Sequence, residues 1–321
     1  MRRNICLVTG GAGFIGSHIV DALLVRGDKV VVIDDCSTGN HDNLKNKDCL
    51  FYKNKIRDIR NLDRIVSEVD YVFHQAALPS VPRSIESPLE SHENCCTETV
   101  RLLKACSNSR VKRIVYAASS SAYGNLPCDS KRESDATSPL SPYAAAKLAG
   151  ELYCHAFGHS YGIETVCLRY FNVFGPRQNS DGGYAAVIPR FIKLMLAGEP
   201  LTVYGDGKQT RDFTYVENVV HANLLAADAP NVSGQTFNIA GGESTSINSL
   251  ISMLEDRIGL GARVNYEPPR QGDVLHSLAD LTRAKAFLRY VPKVSVGDGL
   301  SKTLDSFTVH RQFAQVARAI L

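Results

Sequence analysis

The sequence predicts an α/β fold: a doubly wound parallel sheet with helices on both faces, followed by a smaller α/β domain. Three observations carry that expectation. Through the first half of the chain, short runs rich in Val, Ile, Tyr and Phe alternate with longer stretches of helical pattern, and such alternation builds βαβ units. The strand-like runs are apolar throughout instead of alternating apolar and polar, as a sheet buried on both faces requires. A glycine-rich turn joins the first of these runs to the first helical stretch. The 321 residues make about two domains at ~150 residues each.

In chain order, strands are expected at Ile5–Thr9, Lys29–Asp34, Leu50–Lys53, Tyr71–Gln75, Arg113–Ala118 and Glu164–Arg169. Amphipathic helices are expected between them at Phe14–Val25, Leu62–Val69, Leu89–Cys106 and Pro142–His159. After Gly175-Pro176 the texture changes to Gly- and Pro-rich short elements, with helices expected near Ala185–Ala197, Val216–Ala227 and Ile247–Ile258. No repeat or low-complexity linker separates the two regions, so the second is expected to pack directly on the first. Residues 1–175 then form one domain and 176–321 most of the other.

Composition excludes several classes. Hydrophobic residues are 44% and charged residues 21%, which is the make-up of a folded globular chain and not of a disordered one. A net charge of +3 gives no electrostatic footprint for nucleic acid or an anionic membrane. Gly10, Gly11, Gly13, Ser17, His18 and Asp21 break the first apolar run, so it is not a signal peptide. No stretch approaches the ~18 apolar residues of a membrane span. The nine cysteines are odd in number, lie between Cys6 and Cys167 and include no CxxC pair. They read as reduced thiols of a cytoplasmic protein. The nine histidines supply no ligand spacing for a metal.

The first chemical motif is Thr9-Gly10-Gly11-Ala12-Gly13-Phe14-Ile15-Gly16, placed between an expected strand and an expected helix. Gly10 permits the tight turn, Gly13 lets backbone approach a pyrophosphate, and Gly16 allows close contact of helix and strand. The helix N-terminus brings amide donors and a positive dipole end to phosphates. Asp34 follows Gly16 by 18 residues at the end of the second strand. A carboxylate there accepts from adenosine ribose hydroxyls and repels a 2′-phosphate, and no Arg or Lys follows within ten residues. The site is that of NAD rather than NADP.

The second motif is Tyr143 and Lys147, four residues apart on one helix face. An ammonium beside a phenol stabilises the phenolate, so Lys147 is expected to lower the Tyr143 pKa. The third is Ala117–Gly124 (AASSSAYG), which follows the fifth strand at the sheet edge where doubly wound folds bind ligands. Its serines present hydroxyls to a substrate oxygen, although an ordinary polar loop reads the same way for Ser120 or Ser121 taken singly.

Together, TGGAGFIG, SSSAYG and YAAAK resemble the extended short-chain dehydrogenase/reductase family with its Rossmann-type domain. HQAALPSVPRS (74–84), RYFNVFGPRQ (169–178), YGDGKQTRDF (204–213) and RQGD (270–273) are similar to its nucleotide-sugar branch. The likeness is greatest to UDP-sugar 4-epimerases, especially those acting on UDP-N-acetylglucosamine, and it reaches to about Tyr290. The resemblance implies that Tyr143 removes the sugar 4-hydroxyl proton as hydride leaves C4 for NAD. Lys147 then binds the nicotinamide ribose, and Ser119, with Ser121 beside it, bonds the sugar oxygen. A transient 4-keto sugar turns over and takes hydride back on its other face, with NAD retained as a prosthetic group. The resemblance also places Phe14, Ile15, Asp58, Ile59, Gln75, Ala76, Ala77 and Phe171 in the dinucleotide cleft. Asn172, Val187, Tyr204, Arg211, Arg270 and Asp273 fall where the family holds the nucleoside diphosphate. Arginine suits phosphate oxygens by its planar fork.

Ser277, four residues after Asp273, occupies the position where relatives restricted to UDP-glucose and UDP-galactose carry a bulky Tyr. A serine leaves room for a 2-acetamido group, so the UDP-GlcNAc/UDP-GalNAc pair is expected, with the plain hexoses also admitted. Dehydratases resemble this chain but carry Asp-Glu after the catalytic Ser/Thr, and decarboxylases carry a Glu in that loop; Ser120-Ser121 stand here instead. A UDP-glucuronate 4-epimerase is the alternative. A catalytically silent NAD-binding protein and a reductase that releases NADH are further alternatives. The resemblance further implies a homodimer formed through 89–106 and 142–159, and a return of 216–240 to the first domain. One departure stands out. Where the family reads Asn-Val-x-Gly-Thr, this chain places Cys95 at the Asn and Glu98 at the Gly, with Asn94 one residue early.

Overall fold

A computed structural model describes residues 3–181, 185–269 and 275–320, with side chains to Thr308. The first region runs β1 (Ile5–Thr9), α1 (Phe14–Val25), β2 (Lys29–Ile33), β3 (Cys49–Tyr52), α2 (Leu62–Ser67), β4 (Tyr71–His74), α3 (Val81–Glu86) and α4 (Pro88–His92). After a π turn at Glu93–Thr97 it continues with α5 (Glu98–Cys106), β5 (Arg113–Ser119), α6 (Pro142–Tyr161) and β6 (Glu164–Tyr170). The second holds β7 (Val173–Phe174), α7 (Val187–Ala197), β8 (Leu201–Tyr204), β9 (Thr210–Asp212), β10 (Thr214–Tyr215), α8 (Val216–Asp228), β11 (Gln235–Ile239), β12 (Ser244–Ser246), α9 (Ile247–Ile258), β13 (Val264–Glu267) and α10 (Val296–Ile320).

Seven strands form one sheet in the order β11-β6-β5-β4-β1-β2-β3, every neighbouring pair parallel. The doubly wound parallel sheet expected from the apolar strands is therefore present. Separate apolar clusters cover its two faces. One is built on Val8, Ile19, Val32, Val115 and Leu168 with α1 and α8. The other is built on Leu7, Val72, Leu102, Tyr116 and Cys167 with α2, α5 and α6. Strand β11 closes the sheet beside β6, and α8 lies against α1. Arg113 fixes that return: its Nη1 donates to the carbonyls of Ala226, Ala227 and Ala229 at 2.9, 2.9 and 2.7 Å, capping α8 with a cation at its negative end. A third cluster, with Phe174, Phe191, Leu201, Phe213, Tyr215 and Leu250, forms the core of the second region, and Phe14 and Ile15 of α1 pack on it. The two regions thus share buried contacts directly.

The structure adjusts several expectations. The helix expected over Leu89–Cys106 begins at Pro88 and contains the π turn, one extra residue that a 3.6-residue pattern cannot reveal. Ala185 and Ala186 lie outside α7. The short pairs β7/β10, β9/β12 and β8/β13, together with α3 and α10, were not expected. Strands of two to four residues carry too little periodicity to be read. Among the described residues, no helix is long and apolar enough to cross a membrane.

Candidate active site

The sheet order reverses between β1 and β4. Connections leave these two strands in opposite directions there, which opens a crevice at their carboxyl ends. Gly10 lines it with φ +70°, and a Cβ on it would sit 2.7 Å from the Ala76 nitrogen. Its own N–H donates to Ile33 O at 2.8 Å, drawing the turn against β2. A Cβ on Gly16 would lie 2.1 Å from Gly10 O, so α1 starts directly on the turn. No side chain caps the start of α1 and no acid lies in its first turn. Its free amides and dipole are left facing the crevice, where a diphosphate fits.

The buried Asp34 carboxylate accepts from Ala12 N at 3.0 Å and Cys36 N at 2.8 Å, holding the glycine turn to the end of β2. Burial pushes its carboxyl up, while these amides pull it down. Each oxygen keeps a lone pair for a sugar hydroxyl. Asp58 is exposed at the end of a 3₁₀ turn (Ile56–Asp58), and Ile59 packs with Ala76 over the cluster containing Ile33. Gln75 Nε2 donates to Tyr170 Oη and Asn223 Oδ1, each at 3.2 Å. Ala77 packs with Cys95, Ala146 and Tyr143. Gly10, Gln75 and Ala76 thus lie where β1 and β4 end, whereas Asp58 and Ile59 follow β3, and Phe14 and Ile15 pack on the core of the second region. The Phe171 side chain is fully buried among Tyr123, Ala240 and Ala279. Its N–H and C=O are taken by Ile239 and Thr214, so both its ring and its backbone are engaged within the protein.

Helix α6 carries Tyr143 and Lys147. Ser141 Oγ accepts from Ala144 N at its start, where Pro142 occupies the first turn. Gly150 lets the helix close on the sheet: a Cβ there would meet Tyr116 Oη at 2.2 Å, and that phenol donates to Lys147 O at 3.1 Å. Tyr143 hydrogen-bonds the Ser119 hydroxyl. Ser119 Oγ also lies 2.8 Å from Ser121 Oγ and accepts from Ser121 N at 3.2 Å. Lys147 Nζ sits 4.4 Å from the Tyr116 ring centroid. The expected lowering of the Tyr143 pKa is not the net effect. Burial, then the neighbouring Cys95 thiol, push the phenol up, against the Ser119 hydrogen bond. Burial likewise pushes Lys147 down, against the nearby thiols and Glu151.

Behind this face runs a buried chain. Thr99 Oγ1 donates to Cys95 O at 2.8 Å, so it accepts from His74 Nε2–H at 2.9 Å. His74 Nδ1 then accepts from Thr9 Oγ1 at 2.6 Å, and Thr9 Oγ1 accepts from Ala76 N at 3.3 Å. Burial, with Lys147 adding to it, pushes His74 down to about 3, so the ring stays neutral and the tautomer is fixed. At the departure from the family pattern, Cys95 is fully buried against Tyr143 and Ala146. Asn94 bonds back to Glu90 O at 2.7 Å and does not take the place of the missing Asn.

On the other side of the crevice, Asn172 stands at φ +31° and its Nδ2 donates to Asp212 O at 3.3 Å. Arg211 Nη1 donates to Thr210 O at 2.9 Å and Leu275 O at 3.5 Å. The Asp212 carboxylate accepts from Gly241 N, Gly242 N and Ala279 N at 2.9, 3.0 and 3.1 Å. Asn172, Arg211 and the segment bearing Ser277 are thereby fastened along β9. Ser277 is 6% exposed, so it faces the interior and not open solvent. Gln209 Nε2 ties the end of β8 to this strand through Tyr204 O at 2.7 Å. Val187 is the first residue of α7. Arg270 and Asp273 lie outside the described residues. Sequence reasoning missed Asp212 and the Thr9–His74–Thr99 chain as individuals, although both sit inside motifs it quoted. A polar side chain in a short strand gives no sign of whether it is buried. Among the described residues, no group of three or more His, Cys, Asp or Glu side chains is set to hold a metal ion.

Residues 6–240 match the model of the NAD dependent epimerase/dehydratase family. The chain is 38% identical over 308 residues to the UDP-glucose 4-epimerase of Mycolicibacterium smegmatis, covering 94% of this chain and 97% of that one. It is similar to the solved UDP-N-acetylglucosamine 4-epimerase from Methanobrevibacter ruminantium in complex with UDP-N-acetylmuramic acid. The TM-score is 0.92 at 41% identity, covering 97% of this chain and 100% of that one. The UDP-glucuronic acid 4-epimerase from Bacillus cereus, solved with UDP-glucuronic acid and NAD, gives 0.89 at 36%, covering 95% and 99%.

Proposed function

The chain belongs to the NAD dependent epimerase/dehydratase family as a UDP-sugar 4-epimerase, an isomerase that works with NAD, and we propose that its substrates are UDP-GlcNAc and UDP-GalNAc, with UDP-glucose and UDP-galactose as smaller guests. The observation that carries the substrate reading is Ser277, a small, buried residue on the segment fastened beside Arg211. A pocket lined by a small residue tolerates an added acetamido group, whereas it discriminates only weakly against a smaller sugar.

The residues present fit NAD, through the uncapped start of α1, the close glycine turn and the Asp34 carboxylate. When bound, NAD accepts and returns the hydride of sugar C4. The proton is handled by the chain. Tyr143 takes the 4-hydroxyl proton and later gives it back. Burial opposes formation of its phenolate and the Ser119 hydrogen bond works against that burial; the Lys147 ammonium, four residues on along the same face, is the cation we assign to stabilise the phenolate during turnover. Ser121, bonded to Ser119, keeps that hydroxyl aimed. Arg211, with Arg270, grips the diphosphate, while Asn172, Val187, Tyr204 and Asp273 hold the rest of the nucleotide. Ser120 and Ser121 supply no carboxylate for eliminating water. We further propose a homodimer through α4–α5 and α6, where Leu89 and Leu152 are 79% and 57% exposed on adjoining helices. A reducing compartment such as the cytoplasm suits nine free thiols.

Proton NMR of products from UDP-GlcNAc, UDP-glucose and UDP-glucuronate, each without added NAD, tests the reading. The expected result is a 4-epimer from UDP-GlcNAc. Turnover of UDP-glucose alone sinks the acetamido assignment, and turnover of UDP-glucuronate alone moves the chain to the acid sugar. Tyr143→Phe should abolish epimerisation with NAD still bound.

A further inference from the structure

Glu98 is a carboxylate 4% exposed at the start of α5. Its Oε2 accepts from Arg57 N at 3.2 Å, and Ile56 N donates to the same carboxylate. Its Oε1 is buried and has no hydrogen-bond partner; the Arg57 guanidinium stands 3.7 Å away. That guanidinium also pairs with Glu93 Oε2 at 2.9 Å. Glu93 and Glu98 are five residues apart, a spacing that ordinary α-helix sets on different faces. The π turn at Glu93–Thr97, with its i→i+5 repeat, brings both to one arginine. A buried carboxylate is expensive to desolvate. What this one gives in return is a fixed backbone: its two amide donors begin the 3₁₀ turn whose last residue is Asp58.

We infer that Glu98 is a positioning residue for NAD: by holding the Ile56–Asp58 turn it sets Asp58 and Ile59 at the dinucleotide cleft and governs how long NAD stays bound. The inference rests on the reading of Asp58 and Ile59 as part of the dinucleotide cleft. Glu98 touches no reacting atom, so its effect falls on cofactor retention and spares the chemistry. Glu98→Gln keeps one oxygen for the backbone amides but removes the negative charge that strengthens those hydrogen bonds and faces the Arg57 guanidinium. Loss of a charge-assisted hydrogen bond corresponds to about tenfold in an equilibrium constant.

The test uses full-length E98Q and D58N as purified. Nucleotide released by denaturation is quantified after dialysis, and NAD affinity is measured on the stripped proteins by fluorescence titration. For E98Q the expected outcome is a fall in retained NAD and a Kd about tenfold higher. Its kcat and sugar KM at saturating NAD should stay within twofold of the parent. E98D, whose carboxylate is one methylene short of the two amides, gives the same readings if E98Q does not fold. Unchanged retention and Kd in E98Q overturn the inference, as does a loss of kcat that excess NAD fails to restore. D58N distinguishes the two levels. If D58N weakens NAD while E98Q does not, only the role of Glu98 falls; if D58N leaves the Kd unchanged, the placement of Asp58 in the dinucleotide cleft falls with it.

Discussion

Removing Arg169 tests what keeps α6, with Tyr143 and Lys147, in register. Tyr143, Lys147 and Glu151 recur every four residues along one face of α6. Glu151 is locked to β6 by Arg169, with Nε–Oε2 at 3.0 Å and Nη2–Oε1 at 2.7 Å. The two side chains are 3% and 5% exposed. Glu151 Oε1 also accepts from Thr236 Oγ1 at 3.2 Å, and the guanidinium lies 4.6 Å from the Tyr123 ring centroid. Stranding one charge of such a pair costs about 3–5 kcal/mol, because the survivor keeps its desolvation cost and loses its partner. At about 2–4 °C per kcal/mol for a domain of this size, Arg169→Met should lower the melting temperature by roughly 6–20 °C. The double variant E151L/R169M removes both charges and should recover most of that. A deficit of about 1 kcal/mol should persist from the Thr236 hydroxyl that loses its acceptor. Differential scanning fluorimetry in excess NAD, with kcat alongside, follows the series. If R169M melts within 2 °C of the parent, or the double variant is as unstable as both single losses combined, the pair does not anchor α6 and the reasoning fails.

Three further outcomes follow from the same geometry. Gly10→Ala asks a side chain to adopt φ +70° and pushes a Cβ into the Ala76 backbone; the conformational part alone costs about 1–2 kcal/mol. NAD content, read as released nucleotide per chain, should collapse with a smaller loss of melting temperature. The Asp212 carboxyl is pushed up to about 7 by burial, against its backbone amide donors. A folded value above the unfolded ~3.9 makes its contribution fully present below about pH 4 and progressively lost as pH rises to about 7. Urea unfolding should therefore show the parent's advantage over Asp212→Asn shrinking by up to about 1.4 kcal/mol per pH unit across that window, and parallel profiles would refute this. Leu152→Arg should dissociate the proposed dimer in sedimentation velocity, and an unchanged sedimentation coefficient would place the interface elsewhere.

The parallel sheet, the glycine turn and the shared helix face of Tyr143 and Lys147 were legible in the amino-acid pattern alone. Those features rest on local rules. Unbroken apolar strands mark a sheet covered on both faces, a turn at φ +70° needs Gly10, and four-residue spacing puts Tyr143 and Lys147 on one face whatever surrounds them. The start of α6 at Pro142, where Ser141 caps the first turn, is local for the same reason, since capping is settled within one turn. Tertiary structure decided the rest. Whether Tyr143 is raised or lowered depends on what buries it, and the answer was burial beside Cys95, which no spacing encodes. Phe171 reads as a cleft residue in its motif and is sealed under Tyr123 once packed. Asp212 and Glu98 look like ordinary surface acids until the fold carries backbone amides to them from β11's far end and from beyond β3. The π turn is likewise invisible beforehand, because one extra residue shifts the face of a helix without changing its composition. Local geometry is a property of neighbours in sequence; desolvation and long-range amide donation are properties of neighbours in space, and only the folded chain brings those together.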